Sequence, residues 1–126
     1  KKKKYDYFSN ILEPSFPSGM HIEIFNKKTL NRAHKEAISI SDREHVTPYI
    51  YKNRKKFYSG SFKNNKDLSF HRWTIDYLED QWFVKKVYKE FNYRNNFKMN
   101  DVLKLLKKKT RNYENKLLYK KKQNLL

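Results

Sequence analysis

Asp76 is the residue of this chain best placed for chemistry: it follows the apolar run Phe70-His71-Arg72-Trp73-Thr74-Ile75 and precedes Glu79 and Asp80. A carboxylate at the end of a strand in an α/β fold lies where ligands bind, and its hard oxygens suit Mg²⁺ and the phosphates that accompany it. The order Asp76-x-x-Glu79 is equally a helix N-cap, and one residue can serve both purposes. A second group comprises His21 and Glu23 on the polar face of an alternating run, with Arg43, Glu44 and His45 further along. A short sheet and a helix could bring these together, as a binding cluster or as a structural ion-pair network. His21, His34, His45 and His71 lack the spacing of a zinc site, and His34 falls on an apolar helical stripe that predicts a packed core histidine. A Gly-x-Ser-x-Gly turn is absent from the sequence, which removes the nucleophile-elbow hydrolases. The metal these residues admit is carboxylate-bound.

Such side chains need a scaffold to position them. Residues 5–10 read as a short strand, and the prolines and glycine of residues 13–19 make a loop. Residues 20–25 alternate as a strand, with Met20, Ile22 and Ile24 on the apolar face and His21, Glu23 and Phe25 on the other. Asn26 caps a helix ending near Ile38, with Leu30, Ala33, His34 and Ala37 along one side. Ser41-Asp42-Arg43-Glu44 has capping-box order, and Pro48 limits the short helix that follows. Residues 57–62 read as a strand weakened by Gly60, and residues 70–75, rich in aromatic and β-branched types, as a third strand. Leu78, Trp82, Phe83, Val87, Tyr88 and Phe91 then mark an amphipathic helix over residues 77–93, and Asn100-Asp101 opens a last one with Leu103, Leu105 and Leu106 inward.

The chain has 126 residues, enough for one small domain or part of one. Although 37% of residues are hydrophobic, 10 Tyr, 9 Phe and 2 Trp supply large apolar surfaces that can close a modest core. Zero cysteines exclude a disulfide scaffold and thiolate metal sites. No apolar run approaches the roughly 20 residues of a membrane span, and Lys1–Lys4 lead into no signal-peptide core, so a cytoplasmic location is expected. Lys1 in place of Met leads us to expect a processed product or a piece of a longer reading frame. The net charge of +17 invites a nucleic-acid reading, but ten of those charges lie in residues 1–10 and 101–126. The basic residues are mainly Lys, which lacks the fork that reads bases, and a solvated basic surface explains them.

Three motifs in order carry a resemblance: residues 16–25, Phe-Pro-Ser-Gly-Met-His-Ile-Glu-Ile-Phe; residues 43–51, Arg-Glu-His-Val-Thr-Pro-Tyr-Ile-Tyr; and residues 72–76, Arg-Trp-Thr-Ile-Asp, with Glu79-Asp80. Across roughly residues 5–91 the chain resembles the C-terminal half of a bacterial cytidylyltransferase of the spore coat polysaccharide biosynthesis type. These are relatives of the CMP-sugar synthases for keto-deoxy-octulosonate and nonulosonic sugars.

The resemblance implies an α/β fold, the C-terminal part of a Rossmann-like nucleotide-diphospho-sugar transferase α/β/α sandwich, with a short mixed sheet and flanking helices. Residues 1–99 would be the C-terminal half of the cytidylyltransferase domain and 100–126 a basic helical tail. It implies transfer of CMP from CTP to an acidic sugar for surface polysaccharide or glycan biosynthesis, with Mg²⁺ as cofactor. Asp76 would be the catalytic metal ligand, and His21, Glu23, Arg43, Glu44 and Arg72 would surround the substrate. His21 stands where spore-coat relatives more often have Asp, which leaves the sugar open. The family's Gly- and Arg-containing triphosphate loop has no counterpart here, since Gly19 and Gly60 open no phosphate loop. The resemblance therefore implies a polypeptide inactive by itself, and a homodimer in its full-length form. Two other readings are a basic nucleic-acid-binding module, with Tyr5, Tyr7, Tyr113 and Tyr119 as stacking groups, and a non-catalytic partner that completes its site from a separate N-terminal chain.

Overall fold

In chain order the secondary structure runs β1 (Tyr7–Ser9), β2 (Glu23–Phe25), α1 (Lys27–Glu36), α2 (Ile40–Glu44), α3 (Pro48–Lys52), β3 (Ser59–Ser61), α4 (Leu78–Glu90) and α5 (Met99–Lys108). The structure, a computed structural model, describes residues 4–109. Tyr113, Tyr119 and most of the basic tail lie outside the described residues. The chain divides into two compact units, one of Lys1–Phe16 and Met20–Leu68, the other of Pro17–Gly19 and Ser69–Leu126. Among the described residues no helix is long and apolar enough to cross a membrane.

The first unit holds a mixed three-stranded sheet of order β2-β1-β3. β2 runs antiparallel to β1 with Tyr7 opposite Phe25 and Ser9 opposite Glu23, while β3 runs parallel to β1 with Phe8 opposite Gly60. Strand alternation therefore puts Tyr7, Ser9, Glu23 and Phe25 on one face. There Tyr7 packs with Ala33 of α1, Ile50 of α3 and Phe57 in a buried cluster flanked by Leu12, Phe25, Tyr49 and Tyr51. This reverses the sequence reading of β2: Ile22 and Ile24 are half or more exposed, and the Glu23/Phe25 face is the inner one. Alternation fixes the period of a strand but not which face is buried, and here the pairing with Tyr7 and Ser9 decides. On the opposite face Tyr5 and Tyr58 stack at 4.7 Å and Phe8 and Phe62 at 5.7 Å. Gly60 is required beneath them, because an added Cβ would stand 2.6 Å from the Tyr5 ring and 2.7 Å from that of Phe8.

Local signals set the helix ends. Asn26 Oδ1 accepts from the Thr29 amide at 2.8 Å and opens α1, whose buried side chains are Thr29 and Ala33. His34 is exposed rather than packed, since Thr29, Ala33 and Ala37 take the inward positions. The cap of α2 is Ser39, two residues earlier than the sequence order suggested. Its Oγ accepts from the Asp42 amide at 3.1 Å and donates to the Asp42 carboxylate at 2.8 Å. Pro48, which has no N–H to lose, occupies the first turn of α3 and so separates it from α2.

In the second unit, residues 70–75 do not form the expected strand. The Ser18 amide donates to the His71 carbonyl at 2.9 Å and the Trp73 amide to the Ser18 carbonyl at 2.7 Å, an isolated parallel bridge centred on Ser18 and Arg72. Gly19 ends that pairing at φ +99°, with the Trp73 carbonyl oxygen 2.7 Å from where a Cβ would lie, so glycine is needed here for both conformation and space. Phe83 and Val87 of α4 pack against Val102 and Leu106 of α5, with Trp73, Phe91 and Phe97 around them. Leu78 and Trp82, read as inward from the stripe, are 75% and 68% exposed, because the inward position of that first turn belongs to Asp80.

Candidate functional site

The first unit contains a cavity of about 730 Å³ in which β2 contributes Glu23 and Phe25, the end of α2 Glu44, the following turn His45, Val46 and Thr47, and α3 Pro48 and Tyr51. Ile11 adds a further apolar wall. Two carboxylates, a histidine and two hydroxyls thus face the same space as four apolar side chains. That mixture suits a polyhydroxylated ligand, whose hydroxyls donate to carboxylates while its C–H surfaces lie on the walls.

The remaining residues anticipated in this unit point elsewhere. Arg43 turns back to the C-terminal end of α1, where Nη1 donates to the carbonyls of Ala37 at 3.3 Å and His34 at 3.4 Å. It caps the negative end of the helix dipole, and lines a separate cavity of about 260 Å³ with His34, Asp42, His45 and Tyr49. His21 is exposed, in the segment leading into β2. That segment is pinned by Asn10, whose side chain donates to the Met20 carbonyl and accepts from the Ile22 amide, both at 2.8 Å.

In the second unit Arg72, Asp76 and Asp80 form one constellation. Asp80 is 2% exposed, and its Oδ2 accepts from the amides of Asp76 and Tyr77, each at 3.1 Å, at the mouth of α4. Arg72 reaches Asp80 with Nε to Oδ1 at 3.0 Å and Nη2 to Oδ2 at 2.9 Å, and pairs Nη2 with Asp76 Oδ2 as well. Its guanidinium lies 5.3 Å from the centre of the Tyr77 ring. Burial pushes the Asp80 carboxyl up, but the Arg72 contacts and the two amides outweigh it and hold the group below the usual carboxylate range. Arg72 is raised, chiefly by its bonds to Asp80. The Asp76 side chain remains 58% exposed.

Among the described residues there is no cluster of three or more His, Cys, Asp or Glu able to enclose a metal ion. Mg²⁺ does not need one, since it commonly takes one or two carboxylates and fills its octahedron with water and phosphate oxygens. Asp76, an exposed carboxylate oriented by Arg72, fits as one such ligand.

The sequence singles out Asp76 and Arg72 but gives Asp80 only as part of a motif and assigns no role to Asn10; Tyr7, offered there as a base-stacking group, is fully buried and so cannot stack on a nucleic acid. For Asp80 a signal existed: a carboxylate three residues after Tyr77 can reach back to the amides that open the helix, as Glu79 was expected to do for Asp76.

No protein-family model and no curated protein matches the chain. Among solved structures the chain is similar to a cytidylyltransferase from Leptospira borgpetersenii serovar Hardjo-bovis (strain JB197), with a TM-score of 0.83 and 29% sequence identity over 91% of this chain and 48% of that one. This chain therefore spans about half the length of that protein. The short mixed sheet with flanking helices, together with this neighbour, fits a Rossmann-like nucleotidyltransferase fold.

Proposed function

We propose that this chain is a portion of a nucleotidyltransferase that transfers CMP from CTP to an acidic sugar, releasing pyrophosphate, in surface polysaccharide or glycan biosynthesis. The observation that carries this reading is the cavity of the first unit, where Glu23 and Glu44 stand among apolar walls, taken with the likeness to a cytidylyltransferase. Glu23 and Glu44 accept hydrogen bonds from sugar hydroxyls, while Thr47, Tyr51 and His45 offer further polar contacts. In the second unit Asp76 would supply a carboxylate to Mg²⁺, with Asp80 and Arg72 holding that carboxylate in place. Mg²⁺ held by Asp76 would supply positive charge to the phosphate oxygens of CTP. The full-length enzyme acts as a homodimer in this reading. With two glycines and no phosphate loop in its 126 residues, the chain by itself lacks a triphosphate clamp and does not turn over CTP.

Calorimetric titration of the 126-residue chain with keto-deoxy-octulosonate tests the sugar site. Binding should be measurable, and Glu44→Gln should weaken it about tenfold, the scale of one lost charge-assisted hydrogen bond. Absence of binding, or binding indifferent to Glu44, contradicts the assignment.

A further inference from the structure

The sheet face that lines the cavity carries one group with no role so far, the hydroxyl of Tyr7. Tyr7 is fully buried, at 0% exposure, and its Oη has no hydrogen-bond partner among the described residues. Buried polar atoms are nearly always paired, so an orphan of this kind calls for a physical reason. Its position supplies one. Tyr7 lies opposite Phe25 and two residues from Ser9, which lies opposite Glu23, so all four side chains share a face. Ser9 and Glu23 stand close enough to act on its hydroxyl as weak hydrogen-bond neighbours, with Tyr51 beyond them, yet neither meets it with good geometry; Glu23 and Tyr51 line the cavity. Glu23 itself is only partly buried and so has room to adjust.

We propose that Tyr7 is the positioning residue for Glu23: when a polyhydroxylated ligand occupies the cavity, Tyr7 Oη donates to the Glu23 carboxylate and fixes it to accept from the ligand's hydroxyls. Burial pushes the Tyr7 phenol up to about 12, which keeps the donor proton in place across the neutral range. At 0% exposure Tyr7 does not touch the ligand and acts through Glu23. The free protein then carries a poorly satisfied hydroxyl, and ligand binding completes its bond to Glu23. This inference rests on reading the cavity as a sugar site.

The test uses the full 126-residue chain and its Tyr7→Phe, Glu23→Gln and doubly substituted forms. Each is melted without ligand and titrated with keto-deoxy-octulosonate while backbone amide shifts are followed. Tyr7→Phe should melt within about a degree of the wild-type temperature or above it, because it deletes a buried hydroxyl with no bond of good geometry, yet bind the probe about 5–10-fold more weakly, the effect of one lost hydrogen bond. The double variant should bind no more weakly than Glu23→Gln alone, as coupled groups require. A Tyr7→Phe form that melts several degrees lower, or does not fold, shows the hydroxyl engaged in the free protein and overturns the proposal. Unchanged affinity in Tyr7→Phe, or additive losses in the double variant, overturns it while leaving the sugar site intact. If the wild type shows no shifts at Glu23, Thr47 or Tyr51, the sugar reading falls and the role of Tyr7 falls with it.

Discussion

Arg72 grips Asp80 through two parallel bonds, Nε to Oδ1 and Nη2 to Oδ2. Both side chains are largely withdrawn from water, at 12% and 3% exposure. A bidentate guanidinium–carboxylate pair in that setting is directional, and the same Asp80 oxygen that meets Nη2 also receives the Asp76 and Tyr77 amides. Asp80 thereby fixes the backbone at Asp76 and the cation that orients the Asp76 carboxylate.

It follows that Asp80 and Asp76, four residues apart, should respond to truncation with losses of very different size. Asp80→Ala leaves Arg72 without its buried partner and two amides without an acceptor, a loss of roughly 3–5 kcal/mol, enough to unfold a marginal domain. Asp76→Ala removes an exposed partner and should cost about 0–1 kcal/mol. Urea denaturation of the two variants at neutral pH checks this. Equal losses would show that Asp80 does not organise the turn more than Asp76 does.

A second prediction concerns acid. Glu36 at the end of α1 accepts from Arg32 Nε at 2.7 Å, from Lys56 Nζ at 2.9 Å and from Tyr49 Oη at 2.9 Å. Arg32 first, then Lys56 and Tyr49, bring its carboxyl down from 4.5 to about 2. A carboxyl whose value is depressed on folding adds stability that is complete above its unfolded value and disappears as pH falls through the folded one. The melting temperature should therefore decline as pH falls from about 4.5 toward 2. Glu36→Gln should lower it at neutral pH and flatten this part of the profile. A profile of unchanged slope in Glu36→Gln would remove the cluster from the acid response.

Features governed by near neighbours were legible in the sequence: the Asn26 cap, the breaks imposed by Pro48 and by residues 13–19, and helical periodicity over α4. Residues 70–75 have strand composition but meet only the short Ser18 segment, and a ladder needs a partner of matching length that propensity does not supply. The orientation of β2 was hidden for a similar reason, since a period of two is satisfied with either face inward until the Tyr7–Phe25 register is known. Apolar spacing alone draws the stripe of α4 through Leu78 and Trp82, whereas the inward position of its first turn is taken by Asp80, whose pairing with Arg72 permits burial. At the site, Glu23 and Glu44 could be named from the sequence and do face one cavity. Arg43 could be named as well, but its nearness to the carbonyls ending α1 is a tertiary fact.

In the proposed function these residues belong to a CMP-transferring enzyme. It is tested most directly by joining this chain to the part of the Leptospira cytidylyltransferase that it does not cover, then measuring pyrophosphate release with CTP, Mg²⁺ and keto-deoxy-octulosonate. No release is expected from the 126-residue chain alone, Mg²⁺-dependent release from the joined protein, and a loss of at least a hundredfold on Asp76→Asn, the scale of a removed group that stabilises transition-state charge. Robust release by the chain alone, or a joined protein that folds and binds CTP yet works equally well with Asn at position 76, would contradict it.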